Sequence, residues 1–198
     1  MQLFHSPASP FVRKVMTVLH ETNQLGDVRV IDVTTTPLAS DGGLLAANPL
    51  GKIPALQRDG APTLFDSRVI CRFLDDRAQA GLYPQEQLWE VLSYEALADG
   101  MMEAAVGMVY EKRFRPEDKV SEPWIDAQWA KVAQALDMLE MKDMSGPVDM
   151  GQIAIACALG YLDFRHDARD WRDGHEALAT WYDSFAKRPA MLATAPVG

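Results

Sequence analysis

Cysteine is nearly missing from this chain of 198 residues: Cys71 and Cys157 are the only two. Each sits among apolar, helix-forming neighbours, with no second cysteine and no histidine at ligand spacing, so neither a disulfide framework nor a metal site organises the fold. Both thiols are expected to be buried in a reducing compartment. The four histidines, His5, His20, His166 and His175, are scattered and form no pair at helical ligand spacing, so no metal is expected. Long apolar runs are missing too. None approaches the roughly 20 residues of a bilayer span, and the N-terminus has no basic segment leading into an apolar one, which predicts a cytoplasmic chain with no membrane partner. Positive charge is short: 19 basic against 28 acidic residues leave a net charge of −9, which repels phosphate backbones and makes nucleic acid a poor partner. What remains favours a small-molecule ligand. With 48% hydrophobic residues the chain can bury one large core or two small ones.

The first part of the chain changes hydrophobic period repeatedly, as alternating strands and helices do. Gln2 to Phe4 reads as a short strand. Ser9-Pro10 then opens a helix, with serine at the cap, proline at the first helical position, and Val12, Val15, Met16 and Leu19 on one face. Val28 to Val33 alternates as a second strand, parallel to the first if the helix is a crossover. Leu44 to Asn48 ends a short helix. Ile53 to Arg58, the turn Asp59-Gly60 and Thr63 to Phe65 predict an antiparallel hairpin, and Ser67 to Asp76 is helical. The predicted order is β-α-β-α-β-β-α, a mixed four-stranded sheet flanked by helices.

Residues 79–86 interrupt this pattern, and everything from residue 87 to residue 198 has the helical period, so residues 1–78 and 87–198 are expected to be two domains joined by a linker. A long helix begins near Trp89 and reaches towards Arg113. Ile125, Trp129, Val132, Leu136 and Leu139 define a second, expected to pack antiparallel to the first. Asp149 and Gln152 suit a capping box ahead of Ile153 to Phe164, a run apolar nearly all round and therefore the expected central helix. Leu178, Trp181, Tyr182 and Phe185 mark one more, stopped by Arg188-Pro189.

Three segments carry the chemistry: residues 6–14 (Ser-Pro-Ala-Ser-Pro-Phe-Val-Arg-Lys), residues 48–54 (Asn-Pro-Leu-Gly-Lys-Ile-Pro), and Asp66-Ser67. In order and spacing they resemble the glutathione-site motifs of the cytosolic glutathione transferase superfamily. The resemblance extends into the second half at Gln152 to Asp163 and Leu178 to Pro196. It implies a thioredoxin-like N-terminal domain that binds glutathione as co-substrate, an all-helical C-terminal domain, a homodimer, and a role in detoxification.

Residue by residue, the resemblance places Ser9 beside the glutathione sulfur and counts Phe11 and Pro54 among the residues that bind glutathione. A hydroxyl at a helix N-terminus can donate to a thiolate, and the helix dipole adds positive potential there. Lowering a thiol pKa from about 8.5 by one to two units takes only about 1.4 to 2.7 kcal/mol. Taken alone, Ser9 would simply be a helix cap. Related proteins hold Cys or Ser at this position; with Ser, mixed-disulfide chemistry is disfavoured and thiolate stabilisation is implied. Ser6 is the rival for that role. The resemblance further implies a cis Ile53-Pro54 bond that turns the Ile53 backbone towards the cysteinyl unit, Lys52 on the glycyl carboxylate, and Asp66-Ser67 on the γ-glutamyl zwitterion. Asp66 and Ser67 are also a plain capping pair, which is compatible with that role. Arg13, Lys14 and Arg68 are expected to be solvated or to add positive potential.

In the helical half, Met101, Met108 and Tyr110, with Tyr94 and Met102, are candidates to line the pocket for a small hydrophobic electrophile, because thioethers and aromatic rings suit varied apolar ligands; for most of them a place in the core is the competing expectation and the commoner one. Competing readings stay open: a glutathione-dependent isomerase, a non-catalytic glutathione- or ligand-binding protein, or a structural module.

Overall fold

The computed structural model describes all 198 residues. The sheet runs in the order β2-β1-β3-β4, from β1 (Gln2–His5), β2 (Arg29–Asp32), β3 (Ala55–Arg58) and β4 (Ala61–Leu64). Strands β1 and β2 are parallel, as a helical crossover demands, and β1-β3 and β3-β4 are antiparallel. The hairpin turns at Asp59-Gly60, where Gly60 has φ +68°. The helices of this half are α1 (Pro10–Glu21), α2 (Gly42–Ala47) and α3 (Ser67–Ala78). This is the expected β-α-β-α-β-β-α order, with β2 and β3 each two residues shorter than expected.

Each helix start has a local cause. Ser9 caps α1 by accepting from the Val12 N–H, Asp41 caps α2 from Leu44, and Asp66 caps α3 from Arg68.

Five helices follow: α4 (Leu88–Phe114), α5 (Glu122–Glu140), α6 (Met150–Arg165), α7 (Glu176–Phe185) and α8 (Pro189–Ala193). Both halves of the Asp149–Gln152 capping box form, and α6 is buried from Met150 to Leu162. Pro189 corrects one expectation. It does not simply stop α7; it takes the first position of α8, where its missing N–H costs nothing.

One hydrophobic core runs through both halves, from Leu3, Val15, Leu56 and Ile70 to Met102, Val132 and Leu159. A smaller one, of Phe4, Leu44, Ala47 and Ala55, seats α2. Between the halves α1 packs against α4, α6 and α8.

That packing overturns the solvated reading of two cations. Lys14 is fully buried and Arg13 nearly so. Lys14 Nζ donates to Glu95 Oε1 at 2.9 Å and to both carboxylate oxygens of Asp99 at 2.8 and 3.0 Å, and the Tyr83 hydroxyl donates to Glu95 Oε2 at 2.9 Å. Burial alone would disfavour the ammonium, but the facing negative charges outweigh it and hold Lys14 above the usual lysine range. The partners lie more than 80 residues away in sequence, which is why a surface lysine and a buried one look alike in the sequence.

Candidate active site

The three motifs of the first half converge on one groove between the sheet half and the helical half, a cavity of about 770 Å³. Ser6, Ser9, Phe11, Lys52, Ile53, Pro54, Asp66 and Ser67 all line it. Ser9 accepts from Val12 N at 3.3 Å, which leaves its hydroxyl hydrogen free to donate. Ser6 accepts through its backbone carbonyl from the Ser9 N–H, so the two serines share one turn on the groove wall.

The Ile53-Pro54 bond is cis. The Ile53 N–H and C=O make no hydrogen bond within the protein, although Ala55 just beyond enters the sheet opposite Phe4. A free donor and acceptor at a strand edge suit an extended peptide. Buried Asn48 ties down the preceding loop: its Nδ2 donates to Lys52 O at 2.8 Å and its Oδ1 accepts from Leu50 N at 3.1 Å. Gly51 sits at φ +61°, and any Cβ there would collide with Ser40. Lys52, beside it, points out with no acidic partner.

At the start of α3, Ser67 is buried, yet its hydroxyl makes no hydrogen bond and faces the groove. Asp66 accepts from Arg68 Nη2 at 2.8 Å. Burial pushes the Asp66 carboxyl up, but the Arg68 guanidinium more than offsets this and holds it below the usual carboxylate range, so it is an anion at neutral pH. Arg68 Nε also lies 3.4 Å from Asp99 Oδ2, which links this end of the groove to the buried Lys14 cluster.

The wall contributed by α4 corrects the expected pocket. Met101 and Met108 are only 3% and 2% exposed and pack in the core, as does Met102, while Tyr94 lines a separate small groove with Trp89 and Met138. Tyr110 alone of the five faces the main groove. Nine residues separate Met101 from Tyr110, about two and a half turns, so the two point in opposite directions. The residues that do share the groove face are Asp99, Glu103, Val106, Gly107, Val109, Tyr110, Arg113 and Phe114. Their spacing at four, seven, eight, eleven, fourteen and fifteen residues from Asp99, with Val109 at the margin of the face, was the available signal. Tyr161 and Arg165 of α6 complete the wall. Burial pushes the Tyr161 phenol up to about 12 and raises Tyr110 as well, so both remain hydroxyl donors at neutral pH. Burial likewise raises both cysteine thiols, neither of which reaches the groove.

The glutathione S-transferase N-terminal domain family matches residues 8–77, and the glutathione S-transferase C-terminal domain family matches residues 122–184. The chain belongs to the glutathione S-transferase superfamily. Among its relatives in that superfamily, the GST-like protein YibF of Escherichia coli K12, itself uncharacterized, is 33% identical over 99% of this chain and 98% of its own length. A glutathione transferase family member from Pseudomonas fluorescens Pf-5, solved with bound glutathione, is 46% identical, covers 100% of this chain and 99% of its own, and superposes with a TM-score of 0.96. A second structure from that organism, with bound S-(propanoic acid)-glutathione, is 44% identical over 100% of both chains, with a TM-score of 0.92. Within the transferase fold the groove thus lies where a sheet edge, two helix N-termini and the long helix α4 meet.

Proposed function

We propose that this chain binds glutathione along the groove and transfers its sulfur, as the thiolate, to a small hydrophobic electrophile. The observation that carries this is the convergence on one cavity of a serine hydroxyl at the α1 N-terminus, an unpaired backbone edge at Ile53 and a free hydroxyl at the α3 N-terminus. That combination of charged and hydrogen-bonding groups on one groove suits a tripeptide zwitterion. In this reading Ile53 pairs with the cysteinyl unit and Lys52 takes the glycyl carboxylate. Ser67 and the first N–H groups of α3 take the γ-glutamyl carboxylate, and Asp66 takes the ammonium. Ser9, with Ser6 beside it, donates to the sulfur and, with the α1 dipole, favours its ionised form. The thiol proton leaves to solvent and the sulfur–carbon bond forms. The electrophile then expels its leaving group or takes up a proton at the neighbouring carbon.

The relatives from Pseudomonas fluorescens, which hold glutathione and a glutathione thioether, support the same ligand here. The reading also makes the protein a cytoplasmic homodimer that disposes of reactive electrophiles. Val69 on α3 and Trp89 on α4, 47% and 78% exposed, are free to meet a second copy.

Titration calorimetry with glutathione, followed by conjugation assays on aryl halides with Ser9→Ala and Ser6→Ala, tests the proposal. The expected result is glutathione uptake in all three proteins, with the bound thiol pKa raised by about one to two units in Ser9→Ala alone. No uptake of glutathione would end the proposal. A pKa rise confined to Ser6→Ala would move the sulfur to the earlier serine.

A further inference from the structure

Four cations line the groove: Lys52, Arg68, Arg113 and Arg165. Seated as described, glutathione accounts for the first, and Arg68 is already engaged by Asp66 and Asp99. Arg113 and Arg165 remain. They stand in the last turns of α4 and α6, on the stretch of wall that also carries Tyr110, Phe114 and Tyr161.

Neither arginine pairs with a carboxylate, whereas Arg68, Arg77, Arg115, Arg169, Arg172 and Arg188 each do; Arg13, Arg29, Arg58 and Arg72 lack such a partner too, but none of those four lines the groove. Aromatic rings hold them instead. The guanidinium carbon of Arg165 lies 3.8 Å from the Phe164 ring centroid, and that of Arg113 lies 5.6 Å from the Phe114 centroid. Stacking of this kind leaves the N–H edges of a guanidinium free for a planar anion. Gly198 approaches Arg165, a Cβ there falling 4.0 Å from Nη2, without closing an ion pair.

The helix α4 is graded along its groove face. Asp99 and Glu103 come first, then Val106, Gly107 and Tyr110, then Arg113, spread over about 21 Å at 1.5 Å per residue. Basic residues are favoured in the last turn of any helix. That accounts for the sign of each charge, but not for two such residues, from two helices, turning onto one cavity and pairing with none of the acids that line it.

We propose that this end of the groove selects electrophiles that carry a carboxylate. Their planar unsaturated or aromatic body would rest on Tyr110, Phe114 and Tyr161, and their anion would be held by Arg113 and Arg165. The proposal names the substrate class of the glutathione-transferase reading and rests on it. Two guanidiniums beside the carboxylate also withdraw its electron density, which makes a conjugated acid a better acceptor for a thiolate than it is in water.

The test compares three ligands by titration calorimetry: glutathione, S-(4-carboxybenzyl)glutathione and its uncharged twin S-(4-carbamoylbenzyl)glutathione. They are titrated into the wild-type protein and into Arg113→Gln, Arg165→Gln and the double variant, each checked for a native circular-dichroism spectrum. Charge-assisted hydrogen bonds at a partly exposed site predict that the acid binds the wild type about five- to tenfold more tightly than the amide. That preference should shrink as salt is raised and fall below about twofold in the double variant. Equal affinity for acid and amide in the wild type overturns the inference and leaves the glutathione reading standing; this comparison needs no variant. Loss of glutathione affinity in the double variant by the same factor as loss of acid affinity overturns it too, by assigning the arginines to the tripeptide. No uptake of any of the three ligands defeats the glutathione reading itself.

Discussion

Replacing Lys14 by methionine keeps much of its aliphatic stem and removes the cation that Glu95 and Asp99 share. The two carboxylates then face each other in a site that is 0% and 6% exposed on their own side chains, with only the Tyr83 hydroxyl and the edge of Arg68 left as partners. Breaking a buried ion pair by deleting one member costs about 3 to 5 kcal/mol, because a buried charge is left uncompensated. A domain of this kind has about 5 to 15 kcal/mol in all. The expected outcome in urea at fixed protein concentration is a folded but strongly weakened Lys14→Met protein, and recovery of more than half the loss when Glu95→Gln and Asp99→Asn are added. The pH dependence has a definite sign. Burial already raises the Asp99 carboxyl, and without Lys14 the folded state gains further proton affinity over the unfolded one. A group whose pKa is higher when folded contributes stability at low pH and loses it as pH rises, so the deficit of Lys14→Met should be smaller near pH 5 than near pH 8. A loss below about 1 kcal/mol, a deficit that does not change with pH, or a triple variant no better than the single one would refute the reasoning.

Three further outcomes follow from the geometry. Gly51→Ala introduces a Cβ at φ +61° against Ser40, and should lower stability by about 1 to 3 kcal/mol in thermal melts while weakening glutathione uptake through the displaced Lys52. Met108→Ala, in the core, should cost about 2 to 5 kcal/mol in urea unfolding, whereas Tyr110→Ala, two residues on and half out in the groove, should cost about 1 kcal/mol or less. Asp149→Ala removes the α6 capping box and should cost about 0.5 to 2 kcal/mol of unfolding free energy, with glutathione affinity by calorimetry unchanged.

Features decided within a few residues were legible in the sequence. The Ser9-Pro10 start of α1, the Asp59-Gly60 turn, the Asp149–Gln152 box and the buried run behind it depend on short-range hydrogen bonding and period, and each formed as expected. The glutathione-side residues were placed by resemblance, and the fold brings them onto one groove. The wall opposite them was misjudged. Met101, Met108 and Tyr110 were grouped by chemical type, but helical geometry divides them between core and cavity. Asp99, Glu103, Arg113 and Arg165 went unnoticed because a helix packed on one side and lining a cavity on the other looks uniformly mixed. Lys14 could not be read at all: its burial is decided by carboxylates on a helix that begins more than 70 positions later.

The shared interior has a practical consequence for recombination. Because α1 inserts its lysine into α4 and rests on α6 and α8, a hybrid joined at residues 79–86 would bring together surfaces shaped for different partners. Chimeras that splice the sheet of one transferase onto the helices of another should therefore fold only when the donor helices supply acids at the positions of Glu95 and Asp99, or when Lys14 is exchanged along with them.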